Sequence, residues 1–242
     1  MAKREQLREI HAGMILNMSS KKQESDLGQA LEGAIDHLNK RFGNTVVLRH
    51  YSTWILADIV DELREVWSGV ESHCHFNNTS IKPDGGILCV DSAEEGHFLF
   101  PILIAEAKRQ GTNVDRVQEG LSKQAKGNAI ERLGKNLIGL RTALLRESIF
   151  PFVCFGYGCD FAPDSSILDR VSTMAMFGRL NKTYLHNEGD GRFDRGSFYF
   201  REEKWSIAEM REVMIDIAER SVLYYFSKYG EERFRPREAG PP

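Results

Sequence analysis

Two carboxylates and one lysine near the middle of the 242-residue chain, Asp84, Glu106 and Lys108, have the types and spacing that could do chemistry. Glu106 and Lys108 are two positions apart at the end of an apolar run, so on a strand they project from the same face. Asp84 precedes a second apolar run, and pairing of the two runs as a hairpin would bring all three side chains together. Such a cluster suits metal-assisted hydrolysis of a phosphodiester, because carboxylates bind Mg²⁺ and a lysine can neutralise developing charge.

Each part of this pattern also has a purely structural interpretation. Pro83-Asp84-Gly85-Gly86 is an ordinary turn sequence, and a Glu-x-Lys pair at a strand end is often a solvated ion pair. The conjunction favours the functional interpretation, since a Pro-Asp turn, an apolar central strand and a Glu-Ala-Lys segment follow one another in the order that a hairpin requires.

The elements that must position these residues are predicted from periodicity. Apolar side chains at helical spacing and capping residues predict helices over about 1–40, 54–68, 128–147, 166–176 and 207–229, with a shorter helical segment between Gly111 and Asn128. Gly43 is placed to end the first helix, Ser52 and Thr53 to cap the second, and Ser206 with Glu209 to form a capping box for the last.

Five β-branched or apolar runs predict strands. They cover 45–51, 86–90, 98–108, 152–157 and 197–201. The run 100–105 does not alternate between apolar and polar residues, which is typical of a strand covered on both faces. Helices before, between and after central apolar strands predict an α/β sandwich with a mixed sheet.

Length and composition are those of a globular protein. With 41% hydrophobic and 28% charged residues, we expect a single domain over 1–232, followed by a mobile Arg-Pro-rich tail over 233–242. Neither a signal peptide nor a long uncharged apolar stretch is present, so we expect no membrane association. The four cysteines lack the pairing of a zinc site and the density of a disulfide framework, which favours a reducing cytoplasm.

Positive charge is concentrated in one part of the chain, although the net charge is −3. Residues 108–146 contain nine Lys or Arg against three acidic residues. A basic segment can bind the DNA backbone, but it is more often a solvated helix face, so by itself this feature does not identify a DNA-binding protein.

Three ordered blocks resemble the EcoRI-type restriction endonucleases. They are Asn-Thr-Ser-Ile-Lys-Pro-Asp-Gly-Gly-Ile at 78–87, Ile-Ala-Glu-Ala-Lys-Arg-Gln-Gly at 104–111 and Gly-Asn-Ala-Ile-Glu-Arg at 127–132. The first two form the PD-(D/E)xK signature of a wider nuclease superfamily, and the third is typical of enzymes that read a central AATT. The similarity spans about residues 78–150, with a fainter block at 167–170.

The resemblance implies a type II restriction endonuclease with the restriction-endonuclease-like α/β/α sandwich and a central mixed five-stranded sheet. It implies a Mg²⁺-dependent homodimer that cuts double-stranded DNA at a palindrome with an AATT centre, GAATTC by family precedent, and leaves 5′-phosphate ends. It also implies a cognate DNA methyltransferase in the host. By position, Asp84 and Glu106 would ligate Mg²⁺ together with the carbonyl of Ala107, and Lys108 would be the catalytic lysine.

The third block would lie in the major groove, beginning at Gly127. The amide of Asn128 would bind adenine N6 and N7, and Ala129 would lie near base edges. Glu131 would accept a hydrogen bond from an exposed amino group, and Arg132 would donate to adenine N7. The structural alternative is a helix start with a solvated Glu131 and Arg132.

Three more residues are predicted to contact DNA: Lys82, Arg109 and, in the faint block, Arg170. The family pattern has a second arginine three positions later, where this chain has Thr173, so the outer base pair of the site is open. Two other functions remain as alternatives. A superfamily nuclease of repair or mobile elements would lack the block at 127–132, and a catalytically silent DNA-binding module would not need the carboxylates and the lysine.

Overall fold

The computed structural model describes residues 2–69, 74, 76–92, 99–109, 120, 128–158, 161, 182–185 and 195–235. The helices in this part of the chain are α1 (Ala2–Phe42), α2 (Leu56–Val66), α3 (Asn128–Ala143), α4 (Ile207–Tyr229) and a 3-10 helix, η1 (Glu231–Phe234). The strands are β1 (Leu48–Tyr51), β2 (Trp54–Ile55), β3 (Ser80–Ile81), β4 (Ile87–Val90), β5 (Phe100–Arg109), β6 (Phe150–Tyr157), β7 (Lys182–Leu185) and β8 (Arg195–Arg201).

The main sheet is mixed, with the strand order β1-β4-β5-β6-β8-β7. Strands β1, β4 and β5 pair antiparallel, whereas β5, β6, β8 and β7 pair parallel. The five predicted strands are all present and lie side by side. In the described part of the chain β7 adds a sixth strand at the edge of these five, and it was not recognised in the sequence.

Helices cover both faces of this sheet, which confirms the predicted α/β/α sandwich. On one face α1 and α4 pack on the sheet, where Leu27, Met214 and Tyr225 are buried with Leu103 of β5. The other face is covered by α2 and α3, whose buried side chains pack against Ile104 of β5 and Phe152 of β6 among others. Leu103 and Ile104 therefore lie in different cores, so both faces of β5 are covered, which is why this strand is apolar without alternation.

The predicted start of α2 was wrong. Trp54 and Ile55 pair antiparallel with Ile81 and Ser80 as a separate two-stranded sheet, and Trp54 is buried. The helix therefore begins at Leu56, whose N–H donates to the Thr79 carbonyl at 2.8 Å. No side chain caps this helix. Ser52 and Thr53 were expected to cap it, but the paired strand Trp54–Ile55 separates them from its first residue.

The packed part of the chain extends further towards the C-terminus than predicted. The tail was expected from Arg233, but Phe234 is buried and its ring lies 5.1 Å from that of Phe100, centroid to centroid. Residues 236–242 lie outside the described part of the chain, as does the helix predicted over 166–176. None of the described helices is long and apolar enough to cross a lipid bilayer.

The start of α4 confirms the predicted capping box. The Ser206 hydroxyl accepts from the Glu209 N–H at 3.3 Å, and the Glu209 carboxylate accepts from the Ser206 N–H at 2.8 Å. Arg201, at the end of β8, donates two hydrogen bonds of 2.7 Å to the same carboxylate. The hydrogen bonds from Arg201 and Ser206 hold the pKa of Glu209 at about 2, below its ordinary 4.5.

Replacing Glu209 with Gln should lower the free energy of unfolding at neutral pH by about 1 kcal/mol, the usual value of a helix cap. Because folding lowers the pKa of this carboxyl, its contribution is present above pH 4.5 and is lost as the pH falls towards 2. Urea unfolding of both proteins should therefore show a difference that narrows below pH 4.5. The exposed Glu202→Gln is the matched control, and a difference that did not change with pH would contradict the assignment.

Candidate active site

The residue Asp84 lies in a tight turn that leads into β4. The Gly86 N–H donates to the Pro83 carbonyl at 3.1 Å and closes the turn. The Gly85 N–H donates to the Ala105 carbonyl at 2.9 Å and fastens the turn to β5. Asp84 is thereby held beside the C-terminal half of β5, as the hairpin of β4 and β5 predicts.

Both glycines of this turn are required by close packing. A Cβ on Gly85 would lie 2.9 Å from the Ala105 Cβ, so the turn could not approach β5 with a larger residue. Gly86 has a φ of +69°, and a Cβ there would lie 2.5 Å from His50 Nε2 and 2.6 Å from the Tyr51 carbonyl. The turn is therefore enclosed by β5 on one side and by β1 on the other.

The structure brings Asp84, Glu106 and Lys108 together. Asp84 Oδ2 accepts hydrogen bonds from Lys108 Nζ at 3.0 Å and from the Ala107 N–H at 3.2 Å. Glu106 Oε2 accepts from the Asp84 N–H at 3.0 Å, while Glu106 Oε1 forms an ion pair with Lys108. One ammonium therefore bridges the two carboxylates, and the main chain on each side fixes where they lie.

Burial and charge act on this cluster in opposite directions. Glu106 is 2% exposed, and this burial raises its pKa above the ordinary value, while the Lys108 ammonium opposes the rise. Burial lowers the pKa of Lys108, but attraction to Glu106 and Asp84 is larger in sum, so the pKa of Lys108 lies above its ordinary value. Lys108 is therefore protonated at neutral pH and offsets one of the two negative charges of the carboxylates.

The oxygen donors at this site fit a hard divalent cation. The two carboxylates already share one cation, the Lys108 ammonium. The N–H and C=O of a strand residue point to the same side, so the Ala107 carbonyl lies on the side where its N–H meets Asp84. Within the described residues no three His, Cys, Asp or Glu side chains group as metal ligands. A metal held here would keep waters or bind substrate oxygens, as Mg²⁺ usually does.

The structure describes only some of the residues that were predicted to contact DNA. Lys82 is exposed next to Pro83, and Arg109 is the last residue of β5. The main chain of 128–132 forms the beginning of α3; the side chains of Asn128, Ala129, Glu131 and Arg132 lie outside what the structure describes. Gly127 and Arg170 are outside the described residues as well.

Two contacts beside the site were missed in the sequence. His50 Nε2 lies 2.9 Å from the Gly85 carbonyl oxygen, and no sequence signal distinguishes this histidine. Gly139 of α3 lies against Ile81, since a Cβ there would be 2.3 Å from Ile81 Cδ1. A glycine inside a helical pattern is a recognised signal of close packing, so this contact could have been anticipated.

Comparison with known proteins identifies the relatives of this chain. The family model described as "Restriction endonuclease EcoRI" matches residues 11–232. The type II restriction enzyme RsrI of Cereibacter sphaeroides is 28% identical over 242 aligned positions, covering 86% of this chain and 86% of RsrI. The type II restriction enzyme EcoRI of Escherichia coli is 30% identical over 201 positions, covering 68% of this chain and 72% of EcoRI.

The fold and these relatives together define a type II restriction endonuclease, a site-specific deoxyribonuclease. Within that class the chain belongs to the EcoRI family of restriction endonucleases, whose model covers most of its length. The resemblance drawn from the three sequence blocks is confirmed. The roles of individual residues remain predictions.

The enclosed turn predicts that Gly86→Ala lowers the free energy of unfolding by about 1–3 kcal/mol, because φ is positive and the new Cβ would contact His50 and the Tyr51 carbonyl. Gly28→Ala is the control, since a Cβ there meets no atom within 4 Å and alanine favours the helix by up to about 1 kcal/mol. Thermal unfolding of both variants measures the contrast. Equal stabilities would show that the turn relaxes without strain.

Proposed function

We propose that this restriction endonuclease uses Mg²⁺ to hydrolyse both strands of double-stranded DNA at a palindrome with an AATT centre. By the precedent of the family, that palindrome is GAATTC. The observation that carries the proposal is the convergence of Asp84, Glu106 and Lys108 at the end of β5. Water attacks phosphorus and the bond to the 3′ oxygen breaks, so the products carry a 5′-phosphate and a 3′-hydroxyl.

Two carboxylates and one main-chain carbonyl would hold the metal: Asp84, Glu106 and Ala107. When bound, Mg²⁺ supplies positive charge to the scissile phosphate and lowers the pKa of water at the site. The buried Glu106 is fixed by the Asp84 N–H, so its carboxylate is already oriented before DNA arrives. Such preorganisation avoids the cost of orienting the carboxylate during the reaction.

The lysine of the cluster has two tasks in this proposal. In the free protein Lys108 forms ion pairs with both carboxylates and keeps them close together. On DNA its ammonium can turn to an oxygen of the phosphate, where it neutralises the charge that develops in the transition state.

Sequence reading would come from the segment that begins α3. Asn128 would bind adenine through its amide, with Ala129, Glu131 and Arg132 completing the contacts in the major groove and Gly127 allowing close approach. Lys82 and Arg109 flank the carboxylates in sequence and would bind phosphates. Arg170 would contact the outer guanine.

A palindromic site requires two copies of the active site related by a two-fold axis, so the working enzyme would be a homodimer. Each subunit would read one half-site and cut one strand. Cutting of host DNA would have to be prevented by a cognate DNA methyltransferase that modifies the same palindrome, and both proteins would act in the cytoplasm.

The proposed metal site predicts that Asp84→Ala, Glu106→Ala and Lys108→Ala each reduce the cleavage rate by at least about 10²–10³-fold, because each group positions or stabilises charge at one phosphate. With Ca²⁺ in place of Mg²⁺, the wild-type protein should bind DNA without cutting it. The control is Lys204→Ala, which removes a lysine paired with Asp26 instead. Cleavage at near wild-type rate by any of the three variants would contradict its assignment.

The proposed reading of bases predicts cutting at GAATTC, with looser discrimination at the outer pair than at the AATT centre, because Thr173 replaces the family's second arginine. Plasmid digestion with Mg²⁺ and mapping of the ends identifies the site. Oligonucleotides with single substitutions then give kcat/KM at each position. Asn128→Ala should lose about 1–3 kcal/mol of discrimination at adenine, whereas Lys123→Ala should weaken binding to all sequences alike.

Three results would contradict this reading. Preferred cutting at CAATTG would mean that the outer pair was misassigned and the centre correctly assigned. An unchanged profile for Arg170→Ala would remove that residue from the outer contact. Cleavage governed by DNA structure at no fixed sequence would favour the repair or mobile-element nuclease instead.

A further inference from the structure

A histidine on the neighbouring strand reaches the turn that carries Asp84. His50 lies on β1, opposite Leu88 of β4, and its Nε2 lies 2.9 Å from the Gly85 carbonyl oxygen. A carbonyl oxygen only accepts hydrogen bonds, so Nε2 carries the hydrogen and donates it. The imidazole thus holds the peptide group between Gly85 and Gly86, one residue after Asp84.

We propose that His50 is a positioning residue for the metal-binding carboxylate of Asp84. The inference rests on the proposed function of Asp84 and extends it to a residue outside the carboxylate–lysine cluster. His50 acts on the main chain of the turn and contacts neither the metal nor the DNA in this role.

The turn is closed by its own bond and held by strands on two sides. The Gly86 N–H donates to the Pro83 carbonyl, and on the β5 side the Gly85 N–H, the Asp84 N–H and the Gly86 carbonyl bond to Ala105 and Glu106. On the β1 side the bond comes from His50. Without it the Gly85 carbonyl would lose its anchor on the β1 side, and the turn could rotate about its attachment to β5.

The side chain of Asp84 is sensitive to such a rotation. Its carboxylate is 27% exposed, so packing alone does not fix it, and its orientation depends on hydrogen bonds from the Lys108 ammonium and the Ala107 N–H. Both donors belong to β5, whereas the main chain of Asp84 belongs to the turn. A small movement of the turn relative to β5 therefore changes the distance between the two carboxylates.

Close packing supports the same role for the imidazole. A Cβ on Gly86 would lie 2.5 Å from His50 Nε2, so the ring rests directly against the turn. His50 is nevertheless exposed and belongs to neither hydrophobic core. Its removal should consequently disturb the turn without unfolding the sandwich.

The donor atom can be tested separately from the ring. In His50→Gln the amide nitrogen can reach the position of Nε2 and donate to the Gly85 carbonyl, while in His50→Asn the side chain is one bond shorter and cannot. His50→Ala removes the donor altogether. The matched control is His37→Ala, which removes a histidine that contacts Glu219 at 2.8 Å between α1 and α4.

The experiment measures single-turnover cleavage of saturating duplex DNA as a function of Mg²⁺ concentration. His50→Ala and His50→Asn should cut at least about tenfold more slowly and need more Mg²⁺ for half-maximal rate, as misplacement of a catalytic group predicts. His50→Gln should stay within about threefold of the wild type, and His37→Ala should be unchanged. Affinity for DNA in Ca²⁺-free, Mg²⁺-free buffer should be the same in all five proteins.

A second readout needs neither metal nor DNA. Hydrogen exchange of the metal-free protein should show faster exchange of the Gly85 and Gly86 amides in His50→Ala and His50→Asn, with normal exchange in His50→Gln. Faster exchange with an unchanged cleavage rate would reduce His50 to a structural role and overturn the proposal, as would equal slowing of all three His50 variants. Failure of the wild type to cut any duplex would instead overturn the proposed function.

Discussion

The bridge that Lys108 makes between Asp84 and Glu106 is the interaction on which the rest of the site depends. A carboxylate that is 2% exposed loses most of its hydration, which raises the pKa of Glu106, and the Lys108 ammonium opposes that rise. The lysine supplies that cation from the same strand, two residues further on. One of the two negative charges of the carboxylates is thus offset within the site.

The strand that carries this bridge lies at the centre of the sandwich. The apolar residues of β5 anchor it in both cores, so the position of Glu106 is set by packing on two faces. Asp84 comes from a turn that hydrogen bonds fasten to the same strand. A rigid strand and a fastened turn together hold the two carboxylates at a separation that loops alone would not maintain.

Local pattern predicted much of the fold and the grouping of the candidate site. The period of a strand places Glu106 and Lys108 on one face, and a hairpin brings Asp84 to them. The features that were not predicted depend on contacts between residues far apart in the sequence. Trp54 and Ile55 form a strand because Ser80 and Ile81 pair with them. Phe234 was predicted to lie in the tail, but it packs against the Phe100 ring. His50 belongs to the same group, since its target is a carbonyl 35 residues away.

The contact of Gly139 with Ile81 has a mechanical consequence. Protein interiors are packed densely enough to transmit small displacements, and at this point α3 and β3 have no clearance between them. Ile81 is separated from Pro83 by a single residue, so β3 connects the contact with the helix to the start of the turn. A shift of α3 along the line of this contact would therefore displace Ile81 and the start of the turn in the same direction, so that the helix and the turn move together.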